Sequence, residues 1–218
     1  MAVLDTLLRP TEAAVVAGVP LREVNRVIDE GILPEDFIDN EHGRRVASAA
    51  CLLIAFYVDS AEQLTPRERR FVVDVASARL RKENLQLFRP PANEDWTVTH
   101  GFVAVDLTRF VRSIAERRER LSAAEGLVSI SPHVLSGTPV IKGTRVPVHD
   151  VAALAAGGTG IDEILETYPG ITMEHIDLAS LYAQANPPRG RPRGPTPPPA
   201  GARIIKHNRL PRRRQTAE

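Results

Sequence analysis

Residues 137–148 read GTPVIKGTRVPV, a stretch that leaves the backbone little choice. Pro139 and Pro147 each lack an amide donor, and Pro147 pushes Val146 into an extended conformation. Val140, Ile141 and Val146 favour strands, and Gly143 permits a turn or bulge between them. The stretch is expected to pair short strands around Gly143 and to enter a helix near Val148. A phosphate-binding P-loop is excluded. That loop needs a glycine, four residues, then Gly-Lys-Ser/Thr ahead of a helix. Here the order is Lys142-Gly143-Thr144, followed by extended residues.

Downstream, VHDVAALAAG reads as a helix stopped by Gly157-Gly158. IDEILETYP reads as a second, capped by Thr159 and halted by Pro169, and MEHIDLASLYAQANPP as a third, capped by Thr172. Residues 127–186 thus form a small β element with three helices. Lys142, Thr144 and Arg145 admit two roles: contact with DNA phosphate, or bracing of the module, with Arg145 bonding backbone carbonyls. The bracing role is favoured. The last helix opens on Glu174, His175 and Asp177, a poor match to phosphates. Its Ile176, Leu178, Leu181 and Tyr182 suit packing or dimerisation.

At the other end, RPTEAAVVAGVPLREVNRVIDEGILP reads as two short helices. Thr11 caps the first and Gly18 stops it; Pro20 opens the second and Gly31 ends it. In the second, Leu21, Val24 and Ile28 share an apolar face, and Arg22, Asn25, Arg26 and Asp29 lie opposite. The pair suggests a helix-turn-helix, and the stretch resembles the opening of excisionase-like and MerR-like winged DNA-binding domains. Arg22, Asn25 and Arg26 are candidate DNA contacts, because arginine and asparagine make two-pronged bonds to base edges. Arg44 and Arg45 flank them. Beyond lie a buried helix from Arg44 to Val58 and a helix opened by a Thr65/Glu68 capping box, with Phe71, Val75 and Ala78 inward. A hairpin is expected in WTVTHGFVAVDL (96–107), then a helix from Leu107 to Leu121 with Phe110, Val111 and Ile114 inward. ERRER on that helix is a solvated face with internal ion pairs.

Charge divides the chain unevenly. From residue 187 onward nine basic residues face Glu218 alone, so the tail carries +8 and the rest of a chain of net +1 carries −7. Seven of the tail's first sixteen residues are proline, which favours an extended segment reaching roughly 50 Å at about 3.1 Å per residue. A basic tail on an acidic body implies an acidic partner. The longest apolar run, Ala47 to Val58, falls short of the roughly 20 residues of a membrane span, and the start shows no signal-peptide pattern. Cys51 stands alone, so no disulfide forms within the chain. These features lead to the expectation of a cytosolic protein with no membrane partner. The six histidines (His42, His100, His133, His149, His175, His207) are scattered without metal-ligand spacing. No Ser/His/Asp or Cys/His constellation exists, so no metal, cofactor or catalytic activity is expected.

The run ISPHVLSGTPVIKGTRVPVHDVAALAAGG, with IDEILETYPGITMEHIDLASLYAQ, resembles a widespread prokaryotic domain of formerly unknown function. Its pattern is matched by Gly137, Pro139, Ile141, Gly143, Thr144, Arg145, Pro147, Val148, Tyr168, Pro169, Thr172, Ile176 and Tyr182. That family is helix-turn-helix-like. It is similar to antitoxins of type II toxin–antitoxin pairs, notably VapB-type antitoxins that restrain PIN-domain ribonucleases. Most such proteins are small single domains; the N-terminal module and the tail are additions. The resemblance implies an antitoxin and autorepressor with three partners: operator DNA, a PIN-type ribonuclease toxin and a second copy in a homodimer. The tail is the candidate toxin-binding segment, through Arg203, Ile204, Ile205, Lys206, Arg209, Leu210, Arg212, Arg213 and Arg214. Two alternatives stay open: a DNA-binding regulator without a toxin, and a protein-interaction adaptor. The expected architecture is mainly α with minor β. It places a helix-turn-helix and helical domain with a hairpin at 1–122, a second helix-turn-helix-like module at 123–186, and an extended Pro/Arg-rich tail at 187–218.

Overall fold

The computed structural model describes residues 7–41, 43–82 and 95–188. The chain divides into two units, Met1–Pro188 and Arg189–Glu218, and the second lies outside the described residues. The first is mainly α with minor β, as its sequence implies.

Strand β1 (Leu7–Leu8) leads into α1 (Pro10–Ala17) and α2 (Leu21–Asp29). A single 3-10 turn at Glu35–Phe37 precedes β2 (Ile38–Asp39) and β3 (Arg45–Ala47). β3 is central, antiparallel to both β1 and β2, with Leu8 and Ile38 opposite Val46. The glycine turn between the helices is set by Gly18 at φ +70°, whose amide donates to the Ala14 carbonyl at 2.9 Å. The Arg117 guanidinium closes the same turn from outside, donating to the Ala17 carbonyl at 3.1 Å. A cation there meets the negative end of α1.

Next come α3 (Ala50–Asp59), α4 (Pro66–Lys82), the hairpin of β4 (Thr97–His100) and β5 (Val103–Asp106), and α5 (Thr108–Leu127). α3 is buried along nearly its whole length, with Cys51 fully enclosed. The expected capping box at α4 is present: Glu68 Oε2 accepts from the Thr65 amide at 2.8 Å, and Thr65 Oγ1 accepts from the Glu68 amide at 3.3 Å. The closing module contains β6 (Val128–Ser129), antiparallel to β7 (Val140–Ile141), then α6 (Val148–Ala156), α7 (Ile161–Thr167) and α8 (Met173–Ala185). Thr172 caps α8 as expected.

Several local expectations differ. Arg44 and Arg45 do not open a helix: Arg45 begins β3, and α3 starts only at Ala50, because the β-branched Val46 is taken up opposite two strands. Thr11 lies inside α1 rather than capping it; its hydroxyl instead donates to the Ala185 carbonyl at 2.7 Å. Gly160, not Thr159, precedes α7. Leu21 is exposed, and Val24, Val27 and Ile28 form the buried face of α2. In α4 the inner face is Val72, Val73, Ala76 and Leu80, while Val75 and Ala78 face outward and Phe71 is half-buried. That face hides in the sequence because it includes Arg69 and Ser77. Arg69 donates to the Tyr57 carbonyl at 2.8 Å and stacks on the Tyr57 ring at 4.2 Å, serving the last turn of α3.

Two apolar clusters fill the unit, and two helices belong to both. α5 gives Phe110, Val111, Ile114 and Leu121 to the first and Ala124 to the second. α8 gives Ala185 to the first and Ile176, Ala179 and Tyr182 to the second. Residues 122 and 123 therefore lie inside one continuous helix. Replacing Gly18 by Ala places a side chain at positive φ, with its Cβ 2.5 Å from the Arg117 guanidinium carbon. The backbone strain alone costs about 1–2 kcal/mol, so the urea midpoint of the full chain is expected to fall measurably.

Candidate nucleic-acid interface

A strand, two helices meeting at a tight turn, then a β hairpin is the layout of a winged helix-turn-helix. The second helix of such a unit enters the major groove with its N-terminal residues foremost. The second helix of this module is α2, amphipathic because Val24, Val27 and Ile28 recur on one side. Burial of that side turns Arg22 and Arg26 to solvent and leaves Asn25 half-buried between them.

The arginines are held, not free. Glu23 pairs with Arg22 at 3.4 Å and with Arg26 at 2.7 Å. Arg44, on the loop joining β2 to β3, pairs with Asp29 at the C-terminal end of α2 at 2.8 Å. The hairpin is thereby tied back to the helix, and Arg22, Asn25, Arg26 and Arg44 form one set. Arg45 is half-buried on β3 opposite Asp39 and is bound into the sheet. Exposed ion pairs of this kind stabilise by about 0–1 kcal/mol. Phosphate can therefore replace the carboxylate as partner at small cost. The sequence marked the arginines and not the acids that orient them, because Glu23 and Asp29 differ in no local pattern from other helix-surface acids.

The Lys142–Arg145 turn is built for bracing. Gly143 sits at φ +80°. The Thr144 hydroxyl donates to the Ile141 carbonyl at 2.8 Å and accepts from the Val146 amide at 3.0 Å. The Lys142 amide donates to the Leu127 carbonyl at 2.8 Å, fixing the turn to the end of α5. Lys142 and Arg145 are exposed, and among the described residues the expected bonds from Arg145 to carbonyls are not made. The bracing falls to Thr144 and the backbone. The apolar side of α8 is turned inward against α1, α5 and α6.

The remaining polar cluster is structural. The Arg9 amide and Nε donate to Glu12 at 2.7 and 2.9 Å, and Arg9 also reaches Asn186 Oδ1. Within reach of the same charges, burial raises the Glu125 carboxyl above the usual range, opposed by Arg118, whose Nη1 lies 3.8 Å away. Among the described residues no three His, Cys, Asp or Glu side chains lie close enough to hold a metal ion. Among the same residues no helix is long and apolar enough to cross a membrane. Arg203, Ile204, Ile205, Lys206, Arg209, Leu210, Arg212, Arg213 and Arg214 lie outside the described residues.

Residues 128–183 match a family model described as "Protein of unknown function (DUF433)". The match spans β6 to α8 and includes the Thr144 turn. A relative from Sinorhizobium fredii, titled "Uncharacterized protein y4eO", is 48% identical over 216 residues, covering 99% of this chain and 98% of the relative. The chain belongs to the same family as y4eO. No solved structure matches. That relative thus shares nearly the whole course of this chain, of which the DUF433 match covers residues 128–183.

Thr144→Val removes both hydrogen bonds of the Thr144 hydroxyl. The expected loss is about 1–2 kcal/mol, the cost of unmade bonds at a half-buried site. Thermal melting checks it; an unchanged melting temperature refutes the bracing role.

Proposed function

We propose that this protein is an antitoxin and autorepressor that binds operator DNA through its N-terminal module and restrains a PIN-type ribonuclease with its basic tail. The observation that carries the DNA part is the set of Arg22, Asn25, Arg26 and Arg44 on a helix and a hairpin joined by one ion pair. Phosphate contacts from arginine supply affinity, and Arg22, Asn25 and Arg26 stand where base edges are read. A homodimer would match a two-fold operator. The body's own negative charge disfavours approach elsewhere and leaves the positive face to set the orientation. The compartment implied is the cytoplasm.

Arg22→Ala with Arg26→Ala is expected to weaken operator binding at least tenfold, about what one good base or phosphate interaction supplies. Folding, read by circular dichroism, stays intact because both side chains are exposed. Unchanged affinity in a gel-shift titration rejects the DNA assignment.

The toxin part rests on the DUF433 resemblance to antitoxins and on the tail's composition. PIN-type ribonucleases gather carboxylates around a divalent metal. An inserted arginine can neutralise such carboxylates and bond two oxygens at once. Ile204, Ile205 and Leu210 give the segment apolar anchors that fix its register. A chain ending at Asn186 is expected to lose inhibition of the cognate ribonuclease in an RNA-cleavage assay. If that truncation inhibits as tightly as the full chain and only DNA affinity falls, the tail serves DNA, and the protein is a regulator without a toxin.

A further inference from the structure

Residues 30–37 connect α2 to the β2–β3 hairpin and so set the angle between them. Ile32, Leu33 and Phe37 are buried and fix the depth of that connection. Its outer side is incompletely packed: a cleft of about 300 Å³ separates it from α4, lined by Arg70, Asp74, Ser77 and Arg81. Two arginines of α4 bridge the cleft. Arg70 Nη2 donates to the Glu30 carbonyl at 3.3 Å, at the end of α2. Arg81 grips Asp36 with two parallel bonds, Nε to Oδ2 and Nη2 to Oδ1, both 2.7 Å. The same guanidinium lies 5.5 Å from the centre of the Phe37 ring. Two-pronged pairs fix direction as well as distance.

Resting on the proposal that the N-terminal module binds DNA, we propose that Arg81 and Asp36 are positioning residues that set the hairpin against α2, so that specific recognition depends on α4 although α4 supplies no base contact. The carboxyl of Asp36 is held below the ordinary range by its hydrogen bonds from Arg81, in keeping with a pair formed at neutral pH. Misorientation of the hairpin moves Arg44 relative to Arg22 and Arg26. It leaves the number of cations unchanged. Sequence-independent affinity should therefore persist while discrimination falls.

The rival role for Arg81, direct contact with phosphate, has the opposite signature. Asp36→Asn frees Arg81; a phosphate contact would then keep or strengthen DNA binding. Under the positioning role the same change weakens it. The test uses the full-length chain and a duplex that the wild type enriches from a randomised pool, with a scrambled duplex of equal composition as control. Asp36→Asn is expected to bind the enriched duplex about tenfold more weakly, the discrimination that a single two-pronged base pairing supplies. The scrambled duplex should be bound as before, and the exchanged pair Asp36→Arg with Arg81→Asp should recover most of the specific affinity. Arg81→Lys keeps the charge but not the fork, and should lose specific affinity as well. That variant decides the matter if Asp36→Asn does not fold. Equal or tighter binding by Asp36→Asn, or full affinity in Arg81→Lys, overturns the proposal. A wild type that enriches no duplex overturns the DNA reading itself.

Discussion

The last turn of α8 docks on the first turn of α1, and the rest of the unit depends on that joint. A helix ends with carbonyls that have no partner inside it. Here the Ala185 carbonyl receives the Thr11 hydroxyl, and Asn186 receives Arg9, which in turn holds Glu12. Ala185 itself is fully buried in the N-terminal cluster. Since α5 runs unbroken through both clusters, two helices cross the seam between them. A short module with few aromatic side chains has little core of its own. It gains one by sharing these helices with the N-terminal part.

The charged groups follow a second rule. Several arginines near the α1–α2 pair have a defined partner: Arg26 has Glu23, Arg44 has Asp29, Arg81 has Asp36, and Arg117 has the end of α1. The exposed ion pairs among these contribute little stability. What they give is direction. A long side chain that already occupies one rotamer loses less entropy when a ligand meets it.

Much of the local structure was legible because it rests on strong local preferences. The Gly18 turn, the Thr65/Glu68 box, the Thr172 cap and the Gly143 turn, across which the Ile141 amide donates to the Val146 carbonyl, all depend on residues close in sequence. The strand partner of β7 is not within that string but Val128–Ser129, which its own residues do not announce. What was not legible depends on distant partners. Val46 enters a strand because β1 and β2 accept it. Arg69 is inward because α3 ends beside it. The apolar residues of α8 suit packing or dimerisation alike, because part of their cover is remote in sequence: besides its neighbour α6, α8 packs on α5 and on the distant α1. At the candidate site the cations could be read from residue type and spacing. The carboxylates that aim them came from the fold, since Asp36 and Arg81 are forty-five residues apart.

The enclosure of Cys51 has a practical meaning. Its thiol sits at full burial in α3, 3.8 Å from the Ala13 carbonyl, and burial pushes its pKa up to about 12. A thiol reagent attacks the thiolate, which is almost absent at neutral pH under those conditions. The native state is therefore chemically silent, and labelling proceeds only when α1 and α3 separate. With no second cysteine to confuse the signal, the rate of labelling becomes an internal clock for how often the centre of the N-terminal core opens.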